Sequence, residues 1–183
     1  MLTHGGAETP AVSPDRRRIA FLREHDIWEV DIESGTERRL TTDGSETRLN
    51  GEIDWVTEEE LELYQGFWWS PDSQTLAFVQ FDTSPVTSYP VLHPGNPHPR
   101  VEYQRYPQAG ETNANVRLGT IAVTTDDAVP QWVDLGTPED EETYIARVGW
   151  SPEGELWTMT LDRLQRVLRL TFHPSEGAPR TVI

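Results

Sequence analysis

Cysteine is absent from this chain, and so is lysine. Without cysteine there can be no disulfide framework, no thiolate zinc site and no cysteine nucleophile, and the redox compartment leaves no trace. Without lysine, all 15 basic residues are arginine, set against 31 acidic residues for a net charge of −16. A nucleic-acid binder needs a basic face, so that class of partner is excluded. The same sign disfavours anionic membrane surfaces. Long apolar runs are missing too: none approaches the roughly 20 residues of a membrane helix. The first ten residues lack the basic and apolar regions of a signal peptide. No serine sits in Gly-x-Ser-x-Gly, the turn that exposes a hydrolase nucleophile. The five histidines, at His4, His25, His93, His98 and His173, have no patterned serine partner.

What is present is a repeat. The first copy runs Ser13-Pro14-Asp15, then Ile19-Ala20-Phe21-Leu22, then Asp26-Ile27-Trp28-Glu29-Val30-Asp31. The second begins Trp69-Ser70-Pro71-Asp72, continues Leu76-Ala77-Phe78-Val79, and resumes at Gly119-Thr120-Ile121-Ala122-Val123. The third begins Trp150-Ser151-Pro152-Glu153-Gly154 and continues Leu156-Trp157-Thr158-Met159, then Val167-Leu168-Arg169-Leu170. Ser-Pro-Asp-x suits a tight turn, with proline fixing φ and the aspartate capping the turn amides. Alternation of Ile27, Glu29 and Asp31 against Trp28 and Val30 predicts half-buried strands. Strand, turn, strand, hairpin, strand is one blade of a β-propeller. The expectation is therefore an all-β chain of about three blades, too few to close a ring that needs roughly four to eight. Boundaries follow: a tail over 1–12, a blade over 13–45, a second blade over 46–136, and a third over 137–183 that stops before its outer strand. The second blade is interrupted over 81–105, where five prolines predict an extended, unpaired arm.

One segment reads as helical, 57–64, with Thr57 and Glu60 spaced as a capping box ahead of Leu61 and Leu63. It holds Glu58-Glu59-Glu60. Acidic residues in a first turn suit the positive end of a helix. Neighbouring carboxylates on a helix can also converge on one ammonium and hold it by charge-assisted hydrogen bonds. Both roles stay open on the residues alone. Weaker candidates include His93 and His98, which could seed a metal site but lack cysteines or positioned acids. Asp126-Asp127 and Glu139-Asp140-Glu141-Glu142 lack the order of a calcium loop and are expected as solvated turns. Trp69 and Trp150 recur at one repeat position, which points to core packing rather than carbohydrate stacking. Neither a metal nor a cofactor is expected.

Several segments in order carry a resemblance. Asn50-Gly51 through Asp54-Trp55-Val56-Thr57-Glu58-Glu59-Glu60 resembles the Asp-Trp-Val-Tyr-Glu-Glu-Glu signature of the dipeptidyl peptidase IV family of serine peptidases. Phe67-Trp68-Trp69-Ser70-Pro71-Asp72 with Leu76-Ala77-Phe78-Val79-Gln80-Phe81 is similar to the next blade of that family. Arg105-Tyr106-Pro107-Gln108-Ala109-Gly110 and Asn113-Ala114-Asn115-Val116 are similar to its Tyr-Pro-x-Ala-Gly segment. The stretch from Tyr144 to Gln165 is similar to the blade after that. Thr57 stands where the family usually has tyrosine, and Ala114 where it usually has proline.

The resemblance implies part of a larger propeller of about eight blades. It assigns Glu59 and Glu60 to the ammonium of a peptide substrate's free N-terminus. It implies that the fragment gates access to a catalytic α/β-hydrolase domain elsewhere in a longer protein, and that the 81–105 arm contributes to a homodimer. It further implies a periplasmic or secreted full-length protein, with a cytoplasmic one left open. The competing expectation is a stand-alone propeller serving as a protein- or ligand-interaction module.

Overall fold

Short strands rich in apolar residues, separated by Ser-Pro-acid turns, build three antiparallel sheets of blade type in the computed structural model, which describes residues 6–95, 98–138, 142–175 and 177–182. The strand Asp26–Asp31, expected to be half-buried, is buried at Ile27, Glu29 and Val30 alike. The first sheet runs β1 (Glu8–Val12), β2 (Arg18–Arg23), β3 (Asp26–Asp31) and β4 (Glu37–Arg39) in order. The second contains β5 (Arg48–Asn50), β6 (Phe67–Trp69), β7 (Thr75–Asp82), β10 (Asn115–Ala122) and β11 (Gln131–Trp132). The third runs β12 (Thr143–Trp150), β13 (Leu156–Asp162), β14 (Leu168–His173) and β15 (Arg180–Thr181).

The Ser-Pro-Asp turns of the first two blades repeat the same bonds. Ser13 Oγ donates to Asp15 Oδ1 at 2.6 Å and accepts from Arg18 N at 3.0 Å. Ser70 Oγ donates to Asp72 Oδ1 at 2.6 Å and accepts from Thr75 N at 3.0 Å. Trp69 Nε1 donates to Ala11 O of the first sheet at 3.1 Å, and Trp150 Nε1 donates to Trp68 O of the second at 3.2 Å. The recurring tryptophans therefore join successive sheets. The second sheet is buried on both faces. Phe67, Leu76, Phe78 and Ile121 pack on Ala20, Leu22 and Ile27 of the first sheet. Ala77, Val79, Phe81 and Leu118 pack on Ile145, Val148 and Leu156 of the third.

Three expectations are corrected. Residues 8–12, assigned to a tail, form β1, which pairs with β2 through a register shift between Glu8 and Ala11. The third sheet does have a fourth strand, β15, paired through Thr171↔Thr181 and Phe172↔Arg180. The proline-rich arm is not unpaired: β8 (Ser88–His93) and β9 (Arg100–Arg105) form a regular two-stranded ribbon, with Pro90 opposite Tyr103 and Leu92 opposite Val101. In a ribbon of two strands each strand is an edge, so a proline can turn its missing N–H outward and cost no ladder bond. Directly paired residues share a face, and alternate residues return to it. Pro90, Leu92, Val101 and Tyr103 thus make one exposed apolar face.

Against β7, the first strand of the second sheet is split in two. Asn50↔Gln80 closes one half and Phe67↔Phe78 opens the other. Between them residues 51–66 leave the sheet. Gly51 N donates to Val79 O at 2.8 Å and Val79 N donates to Gly66 O at 2.9 Å, so the excursion departs and returns at one residue. A Cβ on Gly66 would stand 2.2 Å from Gly51 O, which is why the return point is glycine.

Candidate functional site: an acidic helix between two sheets

The excursion carries α1 (Trp55–Leu61). Its cap is Asp54, in extended conformation at φ −77° and ψ 162°, whose Oδ1 accepts from Thr57 N at 3.0 Å. This corrects the helix start at Thr57 and the capping box between Thr57 and Glu60. Thr57 is inside the helix and buried, and Glu60 lies a full turn beyond any free amide it could cap. The helix ends at Glu62 in the left-handed region, φ 52°, and Leu63 N donates to Thr57 O at 3.3 Å.

Glu58 alone belongs to the first turn. Glu59 and Glu60 occupy the second, exposed, at the end where the helix dipole disfavours carboxylates. Among the described residues neither makes a hydrogen bond or ion pair. Successive helical positions are about 100° apart, so the two carboxylates can lean to one side and share a cation, which strand neighbours cannot do.

Two contacts hold α1 in place. Arg147 of β12 donates through Nη1 to Leu61 O at 2.7 Å, supplying a cation at the helix C-terminus. The Trp55 ring packs on Tyr106 at 5.0 Å between centroids. Beneath the helix lies a cavity of about 370 Å³, lined by Val56, Thr57, Phe81, Ala114 and Tyr144 among others. Burial pushes the Asp54 carboxyl above its ordinary range, with its bonds to Thr57 opposing the shift.

A buried polar chain fixes the strand that leads into the excursion. Asp26, fully buried, accepts from Thr41 Oγ1 at 2.5 Å and Asn50 Nδ2 at 2.9 Å, and pairs with Arg39. Asn50 Oδ1 accepts from Gln80 Nε2 at 2.6 Å, and Gln80 Oε1 accepts from Arg117 Nε at 2.9 Å. The Arg117 guanidinium stacks on Trp132, 3.4 Å from the ring centroid. Nothing in the spacing of Asp26, Asn50, Gln80 and Arg117 announces this chain, because its members come from four strands.

The other sequence candidates are scattered. His93 faces Glu102 across the ribbon at 3.2 Å, and His98 is exposed. Asp126 pairs with Arg38 at 3.1 Å, and Glu142 pairs with Arg163. Glu139, Asp140 and Glu141 lie outside the described residues. Among the described residues no group of three or more metal-ligating side chains converges.

Comparison with known proteins places this geometry. The model of the dipeptidyl peptidase IV (DPP IV) N-terminal region matches residues 2–182. The chain belongs to the dipeptidyl peptidase IV family. It is 30% identical to human dipeptidyl peptidase 8 over 179 residues, covering 84% of this chain and 20% of that protein. It is 30% identical to dipeptidyl aminopeptidase B of Saccharomyces cerevisiae over 162 residues, covering 85% of this chain and 20% of the relative. The crystal structure of Porphyromonas gingivalis dipeptidyl peptidase 4 superimposes with a TM-score of 0.88 at 35% identity, over 98% of this chain and 26% of that one. The all-β architecture is thus that of the family's propeller region, and the chain spans about a fifth of the length of these curated relatives.

Proposed function

We propose that this chain is the substrate-recognising propeller portion of a dipeptidyl peptidase IV-like serine exopeptidase, in which Glu59 and Glu60 hold the free N-terminal ammonium of the peptide. The observation that carries it is the isolation of these two carboxylates: exposed, unpaired, in the wrong turn for capping, and on a helix braced by Asp54, Trp55 and Arg147. Two like charges side by side at a helix C-terminus cost free energy unless a cation relieves them. A protonated amine does so with charge-assisted bonds to both.

An amine held at a fixed distance from a nucleophile lets only one peptide bond reach it, and such positioning lowers barriers by several kcal/mol. The nucleophile belongs to a catalytic α/β-hydrolase domain in the rest of the full-length protein, and the propeller gates the way to it. The ribbon β8–β9 offers its apolar face, Pro90, Leu92, Val101 and Tyr103, to a second copy in a homodimer; the exposure of that face supports this assignment.

The test is Glu59→Gln and Glu60→Gln in the full-length enzyme, assayed on dipeptide substrates with free and N-acetylated amines. Where the bound peptide and the catalytic domain enclose the pair, removing one carboxylate costs about 2–5 kcal/mol, or roughly 30- to several-thousand-fold in kcat/KM on the free-amine substrate. Full activity in both variants with an unchanged Tm would make the glutamates ordinary surface charge.

A further inference from the structure

The ribbon and the acidic helix are joined by a column of three aromatic rings. Tyr89 of β8 packs on Tyr106 with centroids 5.0 Å apart and planes 37° from parallel. Tyr106, just past the end of β9, packs on Trp55 at 5.0 Å and 43°. Trp55 is the first residue of α1. The far end of the column is pinned: Tyr89 Oη donates to the Glu111 carboxylate, 2.8 and 2.9 Å from its two oxygens, and Glu111 also accepts from Gln108 N at 2.9 Å. Arg163, in the turn between β13 and β14, donates to Glu111 O, which ties this anchor to the third sheet. At the base of the ribbon, Arg105 Nη1 donates to Val86 O at 2.8 Å.

From this geometry we infer that Tyr106 is a positioning residue: its ring transmits the placement of the β8–β9 ribbon to Trp55 and so sets where α1 presents Glu59 and Glu60. The inference rests on the amine-binding assignment above. A seven-residue helix is too short to hold itself, so outside contacts orient it. Trp55 is wedged at its N-terminal end and Arg147 at its C-terminal end. Between them these two contacts fix the tilt of α1, and only the Trp55 contact leads to the ribbon. The ring does the work, since no hydrogen bond engages the Tyr106 hydroxyl among the described residues.

Spatial adjacency alone does not demonstrate coupling, so the experiment reads α1 directly. Tyr106→Ala, Tyr106→Phe and Tyr89→Phe are made in the full-length protein, with Tyr106→Leu in reserve should the alanine variant misfold. Hydrogen exchange of the amides of residues 58–61 is measured alongside KM, kcat and the rate of labelling by a serine-directed phosphonate. Tyr106→Ala is expected to speed exchange in α1 and to raise KM for free-amine dipeptide substrates about tenfold, from the loss of two aromatic contacts. The phosphonate labelling rate and kcat stay near the parent values. Tyr106→Phe restores both exchange and KM, and Tyr89→Phe, which frees the column from Glu111, falls between. Unchanged exchange in α1 of Tyr106→Ala overturns the coupling. So does faster exchange with an unchanged KM when Glu59→Gln is impaired. Silent Glu59→Gln and Glu60→Gln variants would instead remove the amine assignment, leaving exchange to judge the coupling of ribbon and helix.

Discussion

At the Ser-Pro-acid turns the side chains stand in for backbone. Asp15 and Asp72 are held below the ordinary carboxylate range, first by the serine hydroxyl two residues back and then by the amide two residues ahead. The residue after each acid is left-handed: Arg16 at φ 61°, Ser73 at φ 61° and Gly154 at φ 87°. Two of the three are not glycine, a conformation worth its cost because Ser73 Oγ accepts from Asp15 N of the neighbouring turn at 3.0 Å. His173 gives a residue whose charge can be followed in solution. Half-buried on β14 with Nε2 2.9 Å from Thr158 Oγ1, it is pushed below its ordinary value by burial, against opposition from Asp134 and Glu155. The unfolded chain takes up this proton near pH ~6.5 while the folded chain refuses it until lower pH. The unfolded state therefore binds more protons in that window, and stability falls as pH drops through ~6.5 toward the depressed folded value. Urea melts at pH 7.5, 6.5 and 5.5 should show a smaller acid-side loss in His173→Gln than in the parent. An identical loss in both would place the effect elsewhere.

The elements show where a linear chain speaks clearly and where it does not. Strands β2, β3 and β7 were readable as short runs rich in apolar residues and β13 as a two-residue alternation against a buried face, with Ser-Pro-acid turns as punctuation. β1 was hidden by Pro10 and by the kink at Thr9, φ 50°, both tolerable only because the strand is at a sheet edge. The ribbon was misread because proline density forbids a central strand and says little about a two-stranded one. The helix start was ambiguous by one turn: Asp54 and Thr57 are both good caps three residues apart, and tertiary burial of Thr57 decided for Asp54. The candidate glutamates were legible from the motif, whereas their freedom from capping and the Tyr89–Tyr106–Trp55 column were not, since ring contacts across a 51-residue span leave no local pattern. Asp54→Ala should cost about 1 kcal/mol, a fall in Tm of about 2–4 °C. Asp54→Asn should match or exceed the parent at neutral pH, because asparagine caps equally well and carries no charge to desolvate. A melt of Asp54→Ala indistinguishable from the parent would return the cap to Thr57.

For the molecule as a whole, the decisive feature is that burial is uneven across the three sheets. The second is covered on both faces, which its apolar content demands. The third is covered on one. Pairing of β13 with β14 sets Trp157 opposite Phe172, Met159 opposite Leu170 and Leu161 opposite Leu168. All six share one face, and none of them is buried, while Leu156, Thr158, Thr160 and Asp162 on the other face are. A sheet with apolar side chains on both faces is built for neighbours on both sides. Contiguous apolar surface of this kind drives association when it meets only water. The 183-residue chain produced alone should therefore self-associate. Sedimentation velocity over a hundredfold range of concentration should show weight-average mass rising with loading, and Leu170→Glu with Met159→Glu should shift it back toward monomer. The apolar ribbon face is a second source of association, so the same measurement on Leu92→Glu with Val101→Glu separates the two surfaces. A monodisperse monomer at every concentration would mean that the open face of the third sheet is satisfied within the chain itself.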